Sequence, residues 1–247
     1  MILIFYALRR ELGDVRRRIE NRAALGQGLH GLRGRIGGQD VAMVATGIGI
    51  APARATARRA LEVLPQPRMV ISTGVAGGLT PQLRAGDLVI ADRFLIESED
   101  GGLQSISVAP RPVQLAGDAL LRAGLSAAAG PMLTARRVLS SAADKREAHT
   151  RSGALAVDME SAAIAQEMAS CGAPFLCVRA IIDAVSDELP GAELAAPTGE
   201  VSMRKAAAFF LSNPSALRQV PTVVRNMGRA TAAIAAALQA LCRGTGA

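Results

Sequence analysis

The sequence predicts an α/β fold, a mixed or parallel sheet covered by helices on both faces. Three observations predict it. Short apolar runs alternate with stretches of helical periodicity along the whole chain. The strand candidates are near-continuous apolar runs, the pattern of strands buried on both faces. Half of the 247 residues are hydrophobic and 20% are charged, enough to fill a core and unlike a disordered chain. No internal repeat or low-complexity linker interrupts the pattern, so a single domain over 1–247 is expected.

The elements follow in order. Ile2 to Ala7 reads as a buried opening strand and Glu11 to Glu20 as a charged helix, with Arg9 and Arg10 on the turn between them. Leu29 to Ile36 and Val41 to Ala45 flank Gly37-Gly38-Gln39-Asp40, a turn signal that predicts a hairpin. A helix follows from Ala51 to Leu64. Met69 to Thr73 reads as a central strand ending at Gly74, and Asp87 to Asp92 as another after a Gly77-Gly78 turn. Val113 to Ala127 has helical spacing, Met132 to Arg136 is extended, and Ala142 to Arg151 is a polar helix. Ala154 to Met159 reads as a strand, Glu160 to Ala169 as an Ala-rich helix, and Phe175 to Asp183 as a strongly apolar strand. Residues 184–199, with Pro190 and Pro197, read as a loop. Two helices close the chain, the second from Val220 to Leu241, with Val220, Val223, Val224, Met227, Ile234, Leu238 and Leu241 near one face.

Composition excludes several functions. With no Trp, one Tyr and five Phe, the chain lacks the aromatic platforms on which single-strand and RNA binders stack bases. The net charge of +7 comes from 28 basic and 21 acidic residues, and all the basic ones but Lys145 and Lys205 are Arg. They are scattered rather than concentrated on one element, so a solvated surface is expected and no nucleic-acid partner, while contact with an anionic membrane surface stays open. Three cysteines without a CxxC pair and only two His point to neither a disulfide framework nor a metal site, and a reducing cytoplasm fits them best. The opening residues lack the signal-peptide pattern, and no apolar run reaches transmembrane length.

In open α/β sheets ligands bind outside the carboxyl ends of the strands, so polar or Gly-rich strand ends are the candidate sites. Thr46-Gly47-Ile48-Gly49 could hold an oxyanion on bare backbone amides, but Pro52 and the absence of an acidic residue ending the next strand argue against a dinucleotide fingerprint. Ser72-Thr73-Gly74-Val75-Ala76-Gly77-Gly78 lets the backbone approach a flat ligand closely, or is simply a tight turn. Val157-Asp158-Met159-Glu160-Ser161 places two carboxylates where a buried strand meets a helix; Glu160 there either complements the helix dipole or accepts hydrogen bonds from a sugar diol. Asp183 ends an apolar strand interrupted by Arg179, a setting that raises a carboxyl pKa towards that of a general acid.

Together, in this order, these segments and Ala7-Leu8-Arg9-Arg10-Glu11, Arg84-Ala85-Gly86-Asp87 and Arg179-Ala180-Ile181-Ile182-Asp183 resemble the nucleoside phosphorylase and methylthioadenosine/S-adenosylhomocysteine nucleosidase superfamily. The resemblance covers nearly the whole chain. It implies a three-layer fold with a central mixed, partly barrel-like sheet flanked by helices, and cleavage of the N-glycosidic bond of a purine nucleoside through an oxocarbenium-like transition state. It implies Asp183 as proton donor toward N7 of the leaving base, and Glu11 beside the nucleophilic water. Glu160 would bind the ribose hydroxyls, with Asp158 in the same motif, and Met159 would lie against the sugar. Val75, Ala76 and Gly77 would line the base pocket with backbone, and Thr46 and Gly47 would adjoin the sugar or phosphate. No metal or organic cofactor is implied, and a homo-oligomer, dimer or hexamer, is.

Two departures matter. Thr134 to Ala148 has no aromatic residue to stack on the base. Leu8-Arg9-Arg10 is basic where the water-using branch is acidic, so Arg9 or Arg10 is a candidate phosphate ligand, yet the second Gly-rich segment lacks the preceding Arg of phosphorylases. Hydrolysis and phosphorolysis with phosphate as co-substrate both stay open. Within the superfamily the Arg-rich aliphatic chain looks most like the hopanoid-associated phosphorylases, which implies adenosylhopane as substrate, a ribosylhopane as product, and a place in the cytoplasm or at the periphery of the inner membrane. The apolar face of the closing helix and the 184–199 loop would then flank an apolar opening at the ribose 5′ position.

Overall fold

A computed structural model describes residues 1–98, 100, 102–189 and 220–244. Among these residues ten strands form one sheet in the order β10-β6-β8-β9-β5-β1-β4-β3-β2, with β7 on β6. They are β1 (Ile2–Tyr6), β2 (Glu20–Gly26), β3 (Leu29–Ile36), β4 (Gln39–Ala45), β5 (Met69–Gly78), β6 (Leu88–Glu97), β7 (Leu103–Ser107), β8 (Ala127–Thr134), β9 (Ala156–Asp158) and β10 (Phe175–Asp183). Because β10 also pairs with β5, the strands β5, β10, β6, β8 and β9 close on themselves as a five-stranded, partly closed barrel.

The apolar runs are continuous because both faces of the sheet are covered. Ile2, Ile4 and Tyr6 of β1 pack on one side with Leu120 of α3 (Pro110–Arg122) and with Ala230, Ile234, Leu238 and Leu241 of α6 (Val220–Gly244). Leu3 and Phe5 pack on the other with Ala53, Ala57 and Ala60 of α2 (Ile50–Val63) and Ile164 and Met168 of α5 (Ser161–Met168). Alanine-faced helices let α2 and α5 lie close against the sheet, which replaces the aromatic filling the chain lacks. The three-layer expectation is met.

Four local readings are corrected. The stretch from Glu11 to Glu20 is not one helix: a 3-10 turn over Arg9–Leu12 is followed by the one-turn α1 (Val15–Arg18), and Glu20 already begins β2. Gly13 and Asp14 are poor helix-interior residues and divide the segment. β5 does not stop at Thr73 but runs through the glycines to Gly78, because β10 and β9 pair with that half of the strand. β6 likewise extends to Glu97, and α3 ends at Arg122, five residues earlier than the apolar spacing suggests. Of the loop over 184–199, the part from 190 onward lies outside the described residues, as does the first of the two closing helices.

Candidate active site

β1, β4, β5 and β10 run parallel, so the segments leaving their carboxyl ends meet on one side of the sheet. At the centre stands Arg179 of β10, whose side chain is 1% exposed. Its Nη2 lies 2.8 Å from Asp158 Oδ2 and donates to Ser161 Oγ at 2.8 Å, while Nη1 donates to the Thr73 carbonyl at 2.9 Å. Asp158 is held in turn by the Thr134 hydroxyl at 2.7 Å and by the Ser161 backbone N–H, which ties its carboxylate to the N-terminus of α5. Glu160, also buried, accepts from the Gly49 N–H at 2.8 Å and sits 4.0 Å from Arg179.

Glu11 reaches the same cluster from the 3-10 turn, where the Ala7 N–H donates to its Oε2 at 3.3 Å. Gly74 makes room for this meeting. Its φ of +140° is open to glycine, and a Cβ there would strike the Arg179 guanidinium and come within 2.5 Å of Glu11 Oε2. Three buried carboxyl groups thus surround one guanidinium. Burial, countered by Arg179, pushes Glu11 up to about 7. Burial, reinforced by the neighbouring Asp158 charge, raises Glu160 as well. Burial works against the charge of Arg179, but the carboxylates around it outweigh that effect and raise its pKa.

Asp183 ends β10 four residues further on, about 13 Å of strand. A register shift between Ile181 and Asp183 re-aims the chain there, and Asp183 pairs with Gly77. A Cβ on Gly77 would lie 3.4 Å from Asp183 Oδ2, so the bare β5 backbone runs directly against this carboxyl. Burial raises Asp183 to about 6 in spite of an ion pair with the wholly buried Lys145 of α4 (Ala142–Ser152). A cavity of about 350 Å³ opens beside it, lined by Asp183, Asp187 and Leu189 and by Thr222, Val223 and Asn226 of α6.

The structure brings Glu11, Asp158, Glu160, Gly77 and Asp183 to this one side of the sheet. Thr46 and Gly47 adjoin them: their N–H groups bond the Tyr6 and Ala7 carbonyls, and the Thr46 hydroxyl donates to the Gly47 carbonyl at 2.9 Å. Val75 and Met159 are half-buried and Ala76 is buried. Arg9 and Arg10 lie exposed on the 3-10 turn, outside the buried cluster. The apolar face of α6 is divided: Ile234, Leu238 and Leu241 belong to the core, and Val223 reaches the cavity. Arg179, marked in the sequence only as an interruption of an apolar strand, proves to be the hub; a charge in such a run needs buried carboxylate partners, and that was its signal. Lys145 gave none, being one charge among many on a helix that reads as polar.

Chemically, the two ends differ. Around Arg179, Asp158 balances the guanidinium while burial holds Glu11 and Glu160 towards their protonated forms, and a positive charge developing beside them favours their ionised forms and is stabilised by them in turn. Asp183, titrating near neutral pH, can hold and deliver a proton. No group of three or more His, Cys, Asp or Glu among the described residues is placed to hold a metal ion.

Solved structures share this architecture. The 5′-methylthioadenosine/S-adenosylhomocysteine nucleosidase of Neisseria meningitidis, in complex with methylthio-immucillin-A, superposes with a TM-score of 0.75 at 21% identity over 98% of each chain. The Colwellia psychrerythraea enzyme of the same name, in complex with adenine, gives 0.75 at 19% identity over 98% of this chain and 94% of that one. Futalosine hydrolase of Helicobacter pylori gives 0.74 at 18% identity over 97% of this chain and 96% of that one. A sequence model of the phosphorylase superfamily matches residues 2–212, a span holding every strand of the sheet and both ends of the buried site, and the chain belongs to that superfamily.

Proposed function

We propose that the chain cleaves the N-glycosidic bond of a purine nucleoside, with water as the nucleophile. The observation that carries this reading is the pairing of a buried carboxyl cluster, gathered round Arg179, with a separate acid, Asp183, at the end of the same strand as that arginine. An N-glycosidic bond breaks with positive charge growing on the ribose and negative charge on the base, and the two ends match those needs. Asp183 gives its proton to the departing base. Glu160 holds the ribose hydroxyls, with Asp158 and Arg179 fixing the frame, and Met159 lies against the sugar. Glu11, poised at about 7, accepts the proton of the attacking water as its oxygen bonds to the anomeric carbon. The products are free base and a ribose bearing its original 5′ group.

Water is favoured over phosphate because Arg9 and Arg10 stand outside the cluster and Arg179 is engaged by Asp158, Ser161 and the Thr73 carbonyl. For the 5′ group we propose a large apolar one, as in adenosylhopane. The sequence resemblance supports it, together with the exposed Val220 and Val224 on the first turns of α6. Contact with a membrane surface through those turns belongs to the same proposal. No helix among the described residues is long and apolar enough to cross a membrane.

The test is an adenine-release assay on 5′-methylthioadenosine, S-adenosylhomocysteine and adenosylhopane in detergent, each with and without phosphate. Release from the lipid nucleoside alone, independent of phosphate, is the expected result. Release only with phosphate would overturn water as nucleophile, and release from the thioethers alone would overturn the lipid substrate.

A further inference from the structure

Lys145 is wholly buried on the first turns of α4, and its ammonium has three partners: the Asp183 carboxylate, the Ala184 carbonyl at 3.0 Å and the Asp187 carbonyl at 2.7 Å. All three of its protons are thereby used. A buried ammonium is costly, and local structure does not require this one. α4 has its own cap, the Ser141 hydroxyl accepting from the Asp144 N–H, and its own left-handed Gly153 stop. The turn after β10 is closed by the Ala184 N–H donating to the Asp187 carboxylate at 2.9 Å, and it is joined to the start of α4 by the Leu189 N–H donating to the Ser140 carbonyl. Beyond bracing that already closed turn through two carbonyls, the ammonium has one further partner, the acid.

We propose that Lys145 is a positioning residue for the leaving-group acid: its ammonium grips Asp183 through Oδ2 and leaves Oδ1 to present the proton to the base. This rests on the assignment of Asp183 as the acid made above. Among the described residues the side chains facing Asp183 are few. Lys145 comes from α4, Asp187 and Glu188 from the turn that follows β10, and Asn226 from α6, whereas Gly77 and Gly78 of β5 and Val157 of β9 bring no charge. Lys145 therefore supplies the cation that opposes burial and the Asp187 charge, both of which favour the protonated carboxyl. Without it Asp183 keeps its proton to higher pH but loses its aim.

The experiment measures kcat for purine release against pH in the wild type, K145M, K145R and D183N. In K145M, kcat at its optimum falls about 100-fold through lost alignment while KM changes little. The alkaline limb of its kcat profile moves up by about one pH unit or more, since an opposite charge has been removed from the acid. In K145R the cation persists but its compact fit does not, so kcat falls and the limb stays in place. A folded K145M with the wild-type limb and kcat, or with a change in KM or Tm alone, would overturn the proposal. Should K145M not fold, K145R decides: reduced kcat at an unmoved limb supports the role of Lys145, and wild-type kcat refutes it. An inactive D183N beside an unaffected K145M removes the role of Lys145 and leaves that of Asp183, whereas an active D183N removes both.

Discussion

Glu11 shows at the scale of one residue how the site is built against stability. Inside the fold it holds its proton up to about pH 7, against an ordinary value of 4.5. Between those values the folded protein binds more protons than the unfolded chain, so the Glu11 contribution to stability falls as pH rises through that window, by about 3 kcal/mol in all. The E11Q variant lacks this fall. Its unfolding free energy, measured by denaturant titration from pH 4.5 to 8, therefore gains on the wild type by about that amount, and parallel curves would contradict the burial assigned to Glu11. Gly74 is the complementary case. Alanine there meets both a left-handed φ and two charged groups, so G74A costs about 3 kcal/mol and sharply reduces purine release. Unaltered activity in G74A would show that Glu11 and Arg179 do not need to converge. The sequence displays the carboxyl groups and the glycines, because they fall at strand ends where such residues are conspicuous. It hides which groups touch, since the Arg179 contacts with Asp158 and Ser161 join positions 21 and 18 residues apart and the gap at Gly74 draws in a third segment.

At the scale of elements, the site depends on three pieces locked by one hydroxyl. Thr134 at the end of β8 donates to Asp158 at the end of β9 and accepts from the Ala162 N–H in the first turn of α5 at 3.0 Å. T134V keeps the shape and removes both bonds, one of them to a charged group. The expected loss is about 3 kcal/mol, a fall in Tm of roughly 6–12 °C for a chain of this size, accompanied by lower activity as Asp158 loosens its hold on Arg179. An unchanged Tm would show that β8, β9 and α5 are fixed by other means. Elements with a strong local signal were legible in the sequence: β1 and β10 as apolar runs buried on both faces, the β3–β4 hairpin from its glycine turn and α2 from its helical spacing lie within a residue or two of their expected bounds. β2 was not legible, because it is an edge strand exposed at all but one position and shows no alternation of apolar residues. The second half of β5 was hidden for a different reason. Glycines signal turns locally, and only the distant pairing with β9 and β10 makes them strand.

For the whole molecule, barrel closure is what turns separate strand-end motifs into one site. β10 joins β5 and β6, and by doing so it carries Arg179 into the carboxyl cluster and Asp183 against the glycine backbone of β5. Surface charge plays no comparable part. Many exposed arginines face acidic neighbours, as in Arg58–Glu167, Arg59–Glu62 and Arg137–Asp144, and such pairs contribute little to stability. The division of labour between the two ends of the site is tested most directly by comparing wild type and D183N in single-turnover release of adenine, with nucleoside affinity measured in parallel by calorimetry. Loss of the proton donor should slow release by about 100-fold or more while leaving affinity nearly intact. Release at the wild-type rate from D183N, or an equal loss of affinity and rate, would contradict Asp183 as the acid that frees the base.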